Sequence, residues 1–391
     1  MMATLPRADS AVLLDLGIAE FKPLQQHAHQ MLVYTISQHR ATARACHDNV
    51  SCLVVLPTSS GKDLLAFSVA RAFSGTTVVF HPFRHLLSAA VDYGRKFHCS
   101  VAVFKKTTDI YQFLNADIIV AAYEQAGRRT VNLILELFRR GRLTCIIYNE
   151  PHVALPHVSG DFRSFGEIGH LAPILRHACG FPLVFVGCTA TLQLQHYDLL
   201  ATTFSLPRWR PLFSVAPARA NLIFDSFIAS TKHDMIQMSI NTALAAARRT
   251  IVFVPSKTWC QTLCCVFEQS DRPTFAFHAD LSAEAKAASL LGFSSFPCAI
   301  LVTTTALSCG MNVADVSDVI LFSNCFSTED ILQSGGRAGR HGDNGRVSFI
   351  TTARCISYMA RCAKLGTQQV VDLLHAPSFS AALMQLYAPP V

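Results

Sequence analysis

The chain has 391 residues, 51% of them hydrophobic and 15% charged, and 33 basic against 26 acidic side chains give a net charge of +7. This composition excludes intrinsic disorder, which needs low hydrophobicity and high net charge, and a coiled coil, whose flanking positions are charge-rich. No run approaches the ~18 uninterrupted apolar residues of a membrane-spanning helix, so no membrane is expected as a partner and the apolarity is expected in parallel sheets buried on both faces.

From the N-terminus, Met1 to Gly17 carries Asp9 and Asp15 and lacks the charged-then-apolar layout of a signal peptide. Phe21-Lys22-Pro23-Leu24-Gln25 then leads into a helix-length segment. Short apolar runs follow, each separated from the next by helix-length sequence: Cys52–Pro57, Thr77–Pro82, Asp117–Tyr123, Thr144–Glu150 and Pro182–Ala190. The series breaks at Leu206-Pro207-Arg208-Trp209-Arg210-Pro211, where two prolines bracket a bulky basic stretch, and a domain linker is expected there. It resumes with Thr250–Ser256, Thr274–Ala279, Cys298–Thr304, Asp318–Ser323 and Arg346–Thr352. Strands alternating with helices predict βαβ units, hence an α/β fold with domains at 1–208 and 209–365 and a tail at 366–391. The 14 cysteines contain no CxxC pair and no regular disulfide spacing, which predicts a reducing, intracellular compartment.

The local signal with most chemistry is Thr58-Ser59-Ser60-Gly61-Lys62-Asp63, between the first strand and the helix after it. Such a loop aims backbone N–H groups and a helix N-terminus at phosphates, with the lysine reaching the terminal ones. Leu56 stands where the usual pattern has its first glycine, and Asp63 where it has a hydroxyl, so a functionless Ser-Gly-Lys turn fits the loop taken alone. Its neighbours add to it. One later strand ends in Asn149-Glu150-Pro151-His152, and the next in Gly187-Cys188-Thr189-Ala190-Thr191. The second half holds Thr303-Thr304-Thr305, Gly310-Met311-Asn312 and Gln333-Ser334-Gly335-Gly336-Arg337-Ala338-Gly339-Arg340.

In this order, over about residues 17–352, the motifs resemble those of the superfamily 2 helicases and specifically the RecQ family of DNA helicases. Gln-x-x-Gly-Arg-x-Gly-Arg is the most specific piece, supported by the Phe21–Gln25 opening and by Asp161-Phe162-Arg163. The resemblance implies two tandem RecA-like P-loop domains with parallel sheets. It also implies ATP and Mg2+ as cofactors, single-stranded or forked DNA as partner, 3′-to-5′ translocation driven by hydrolysis, and a nuclear location. Residue by residue, Thr58, Ser59, Ser60, Gly61 and Lys62 match the phosphate cradle, and Lys22 and Gln25 the adenine-reading pair. Glu150 matches the residue that positions the attacking water, and Gln333, Arg337 and Arg340 the motif that carries the arginine fingers. His152, Thr189 and Thr191 match positions linking nucleotide state to DNA grip, while Phe83, Arg84, Arg163 and Thr304 match DNA-contacting positions.

Two departures fall on the metal site: Asn149 replaces the family's aspartate, and Asp63 its serine or threonine. Since magnesium prefers carboxylate oxygen, the pair reads either as a carboxylate relocated to Asp63 or as two independent losses. Repulsion between Asp63 and nucleotide phosphates favours the second. A catalytically impaired remnant that still binds nucleic acid is therefore the alternative to an active helicase. The stretch Val153–Asp161 lacks the aromatics the family presents to DNA, and Cys355 and Cys362 match no zinc site, so the motor core is expected to stand alone. Trp259, Cys260, Cys264 and Cys265 read as a packed helix face. Arg139-Arg140-Gly141-Arg142 reads as a solvated turn, with a DNA-backbone role as the alternative.

Overall fold

A computed structural model describes residues 6–42, 49–58, 60–84, 86–105, 110–155, 165, 167–181, 183–192, 196–206, 209–214, 219, 221–307, 313, 315–322, 328–340, 342–354 and 356. These fall into two compact units that divide at Ala216–Pro217.

The first unit is built on seven strands: β1 (Val50–Val55), β2 (Thr76–His81), β3 (Val101–Val103), β4 (Ile118–Ala122), β5 (Leu143–Asn149), β6 (Val184–Thr189) and β7 (Arg210–Ser214). They lie in the order β3-β4-β2-β5-β6-β1-β7, and every pairing is parallel. Successive side chains of a strand point to opposite faces, so β1 feeds two cores. Leu53 and Val55 join a core with Leu133, Ile134, Leu171 and Leu175 from the helices Arg128–Arg139 and Ile168–Cys179. Cys52 and Val54 join another with Leu32, Ile36, Leu65 and Val69 from the helices Pro23–Thr42 and Asp63–Ala72. Burial on both faces is why these strands read as unbroken apolar runs.

The second unit has six strands: β8 (Leu222–Ala229), β9 (Arg249–Phe253), β10 (Thr274–Phe277), β11 (Ile300–Thr303), β12 (Val316–Phe322) and β13 (Gly345–Thr352). Their order is β10-β11-β9-β12-β13-β8, again all parallel. The helix Lys257–Phe267 buries Cys260 and Cys264 and sets Trp259 against Phe322 at 4.9 Å, so that cluster is packing. Among the described residues no group of His, Cys, Asp and Glu could hold a metal by itself, and no helix is long and apolar enough to cross a membrane.

All ten runs expected as strands are strands, and β3, β7 and β8 are additional. The linker expected around Trp209 is overturned. Trp209 is 1% exposed and packs against Phe204 and Tyr148, at ring separations of 6.0 and 6.3 Å. Arg210–Ser214 pairs with β1 as the last strand of the first sheet. Pro211 is tolerated because an edge strand does not use every N–H.

Candidate nucleotide site

In open parallel sheets, ligand crevices form beyond the carboxyl ends of the strands. Here β5, β6 and β1 lie side by side, with Val55 opposite Thr189 and Asn149 opposite Cys188, so the segments leaving them emerge at one level. The turn after β1 is tied by the Ser60 hydroxyl and N–H, which both donate to the Pro57 carbonyl at 2.6 and 3.2 Å. It ends at Gly61, whose φ of +76° favours glycine, and passes through Lys62 into the helix Asp63–Ala72. The positive end of that helix dipole is thereby presented at the loop. Thr58 and Ser60 are half-buried; Ser59 lies outside the described residues.

Gln25, one of the expected adenine-reading pair, is buried against the loop. Its Nε2 donates to the Gly61 carbonyl at 3.2 Å, its Oε1 accepts from the Lys22 N–H at 2.9 Å, and a Cβ on residue 61 would lie 2.1 Å from that Nε2. The side chain of Gln25 therefore holds the shape of the turn.

At the centre, the Lys62 ammonium pairs with Glu150 Oε1. The Thr189 hydroxyl donates to Glu150 Oε2 at 2.8 Å, and the Ala190 N–H approaches the same oxygen at 3.4 Å. His152 Nδ1 lies 2.9 Å from Thr189 Oγ1 and 3.6 Å from Glu150 Oε2. With the Thr189 proton directed at Glu150, Nδ1 is the donor in the His152–Thr189 bond. The Thr191 N–H closes the turn on Thr189 Oγ1 at 3.2 Å. Glu150 takes the left-handed region at φ 51°, ψ 55°, and its N–H donates to the Cys188 carbonyl at 2.7 Å. Burial alone would raise the Glu150 carboxyl, but Lys62, His152 and Thr189 outweigh it and hold it below the usual range. Burial likewise opposes the Lys62 charge, and Glu150 with Asp63 outweighs that, so its pKa is raised and the pair stays ionised.

The corner where the resemblance expects the metal holds Asp63, Asn149 and His81. The Asn149 Nδ2 donates to Asp63 Oδ1 at 3.4 Å and lies 3.3 Å from His81 Nδ1, while its carbonyl accepts from the Tyr123 hydroxyl at 2.6 Å. Burial lowers the His81 pKa against the pull of Asp63 and Glu150, which favours neutral imidazole. Asp63 thus offers an anionic oxygen that is not spent on Lys62's direct pair. A magnesium ion held by one carboxylate plus substrate phosphates and water fits this donor set, with Asn149 orienting Asp63.

The remaining expected residues are less concentrated. Phe83 is half-buried against Phe165 at 6.2 Å, and exposed Arg84 is ion-paired with Glu124; Arg163 lies outside the described residues. In the second unit, Thr304 is half-buried at the end of β11, and its N–H donates to the Phe277 carbonyl at 3.3 Å. Gln333 is half-buried on the helix Thr328–Gly335. Arg337 is 1% exposed and donates to the Leu307 carbonyl, bracing its own unit, whereas Arg340 is half-buried. Sequence reasoning missed Arg219 and Asn221. Arg219 donates to the Ala338 carbonyl and, at 3.2 Å, to that of Gly339; Asn221 donates to Gly339 at 2.8 Å. Together they clamp the turn from which Arg340 projects, with Gly339 at φ +55°. Burial, then the nearby Arg340, lowers the Arg219 pKa to about 10. No local pattern marks these residues, because their partners lie more than a hundred positions along the chain. His81 and Tyr123, which complete the Asn149 corner, fall within the segments His81–Arg84 and Tyr123–Gln125 that resemble DNA-contacting motifs.

Residues 232–342 match the helicase conserved C-terminal domain family. The ATP-dependent DNA helicase Q-like 2 of Arabidopsis thaliana is 24% identical over 331 residues, covering 79% of this chain and 46% of that protein. The ATP-dependent helicase SGS1 of Saccharomyces cerevisiae is 21% identical over 323 residues, covering 78% of this chain and 21% of that one. The chain therefore spans less than half the length of these RecQ-like relatives. Among solved structures, S. cerevisiae Dbp5 bound to RNA and ADP BeF3 superposes with a TM-score of 0.65 at 14% identity, over 95% of this chain and 98% of that one. The fold is that of two tandem RecA-like units with parallel sheets.

Proposed function

We propose that this chain, a tandem RecA-like core with a helicase C-terminal domain and RecQ-like sequence, is the ATP-driven motor of a DNA helicase. The observation that carries the reading is the continuous network Lys62–Glu150–Thr189–His152 across the ends of β1, β5 and β6. Lys62 exchanges Glu150 for the terminal phosphates of ATP as these settle at the N-terminus of the helix Asp63–Ala72. Glu150, held ionised, orients water toward the terminal phosphorus. A bond forms from the water oxygen to phosphorus, the bond to the ADP oxygen breaks, and phosphate and ADP result. Asp63 would help hold magnesium, which when bound would supply charge neutralisation for the phosphates. Within the second unit, Arg219 and Asn221 hold the turn that carries Arg340, the position the RecQ resemblance gives to an arginine finger.

Glu150 and His152 share Thr189, so loss of the terminal phosphate is felt at Thr191 and at the chain beyond it. Preference for DNA follows the Q-like relative, a DNA helicase by name, while 3′-to-5′ polarity and a nuclear site of action follow the RecQ resemblance of the motifs. The test is ATPase of the purified chain with and without single-stranded DNA, and displacement of a duplex bearing a 3′ tail. DNA-stimulated turnover with unwinding of that substrate is expected; stimulation by RNA alone overturns the DNA assignment.

One observation favours a second reading, binding without turnover. The Asn149 amide donates a hydrogen bond where a carboxylate would accept a cation. Magnesium-dependent ATP binding with no hydrolysis, restored by Asn149→Asp, is the outcome that selects it.

A further inference from the structure

Three segments at the opposite end of the first sheet remain unused by the motor. The strand β5 begins at Leu143 and ends at Asn149, so at ~3.3 Å per residue its start lies roughly 20 Å from the nucleotide site. Just before that start, the helix Arg128–Arg139 ends in Arg139 and is followed by Arg140 and Arg142. Beside it the helix Ile168–Cys179 ends in Arg176 and leads to Phe181, whose ring lies 6.3 Å from Phe138. On the other flank the Arg140 guanidinium lies 5.6 Å over the ring of Tyr111. Tyr111 is 65% and Phe181 47% exposed, and the Arg139 and Arg140 side chains are 69% and 46% exposed.

Within residues 110–113, 136–143 and 174–181 Glu136 is the sole carboxylate, facing four arginines. It pairs with Arg140 at 2.6 Å and Arg139 at 3.8 Å, which leaves four arginines against one carboxylate, a net +3, over these segments. Cations at helix C-termini answer the helix dipole, and that accounts for some of these arginines. It accounts for neither exposed aromatic ring. Solvent-facing aromatics between arginines offer base stacking and phosphate pairing together, a combination suited to single-stranded nucleic acid.

We propose that Tyr111, Arg139, Arg140, Arg176 and Phe181 form a second single-strand-binding surface, remote from the nucleotide-binding end of the sheet. It is independent of turnover, and an inert motor would retain it.

The test uses the full chain and a single-stranded oligonucleotide carrying 5-iodouracil, irradiated and mapped by mass spectrometry. Adducts on Tyr111 or Phe181 are expected. In parallel, fluorescence anisotropy of the Arg139→Glu/Arg140→Glu double variant should show affinity reduced about tenfold at low salt and a shallower salt dependence. Its melting temperature and its binding of a fluorescent ATP analogue should be unchanged. Adducts confined to other peptides, or unchanged affinity in the double variant, overturn the proposal. So does preferential capture of a polyglutamate peptide without adduct formation, which would assign the surface to an acidic protein. Since ATPase is not the readout, failure of the helicase reading leaves this result interpretable on its own.

Discussion

Replacing Glu150 by Gln should affect stability and nucleotide binding in opposite directions. The Lys62 and Glu150 side chains are only 16% and 14% exposed. Two charges about 4 Å apart in an effective dielectric of ~20 attract by ~4 kcal/mol, and stripping one partner from a buried pair costs ~3–5 kcal/mol because the other is left uncompensated. Asp63 lies close enough to raise the Lys62 pKa, and the glutamine oxygen still accepts from Thr189, so the loss falls at the low end. We expect ~2–3 kcal/mol in the nucleotide-free chain, a fall in Tm of roughly 5–10 °C for a unit of this size. ATP should then bind about tenfold more tightly, since Lys62 no longer leaves a partner to meet phosphate, a gain of ~1.4 kcal/mol. Hydrolysis should fall by at least about a hundredfold. Scanning calorimetry with and without a non-hydrolysable ATP analogue reads both effects at once. An unchanged Tm combined with weaker nucleotide binding would refute the reasoning, for the ion pair would then be holding neither the loop nor Lys62.

Trp209→Ala should destabilise the first unit by ~3–5 kcal/mol in urea unfolding, the range for a large buried ring, whereas a true linker residue would cost almost nothing. His29 is fully buried, bonded to Ser68 at 2.9 Å; burial lowers its pKa, with Asp9 opposing. The unfolded chain therefore takes up its proton first, so stability is complete above about pH 6.5 and falls as pH drops below it. Melting curves of His29→Gln between pH 5 and 8 should lose part of that acid sensitivity; an identical profile removes His29 as the cause. Arg219→Ala should lower kcat for ATP about tenfold with KM little changed, and Arg219→Lys should recover part of it, because the clamp places Arg340 without touching substrate. A matched loss in KM and kcat would instead indicate that Arg219 binds nucleotide itself.

Most strands legible in the sequence were those buried on both faces, half-buried β10 at a sheet edge being an exception. Leu53, Val55, Ile146 and Phe185 sit in apolar runs because helices cover both sides of their sheet. The missed strands break that rule. Only three residues long, β3 is half-buried; β8 carries Asp225 and Ser226 on a sheet edge; β7 hides behind Pro211. Proline is usually a breaker, and only pairing with β1 makes it an edge residue. The site was legible where chemistry and strand end coincide, as at Lys62, Glu150 and Thr189. It was illegible where a role depends on distant neighbours. Gln25, matched by the resemblance to the adenine-reading pair, also contacts Gly61 in a way no local pattern marks, and Arg219 acquires meaning only beside Gly339.

The position of β1 bears on how the protein is made. Val50 pairs with Val184 on one side and Cys52 with Arg210 on the other, so both neighbours of β1 are synthesised roughly 130 residues or more after it. At ~5–20 residues per second the nascent strand waits on the order of ten seconds, its apolar surface unpaired. The turn at Ser60–Asp63 is therefore translated before the β5 and β6 ends that surround it and is among the last parts of that site to take shape. A chain arrested before Val184 carries every atom of Lys62 and Glu150 yet lacks the strand that lies between theirs in the sheet.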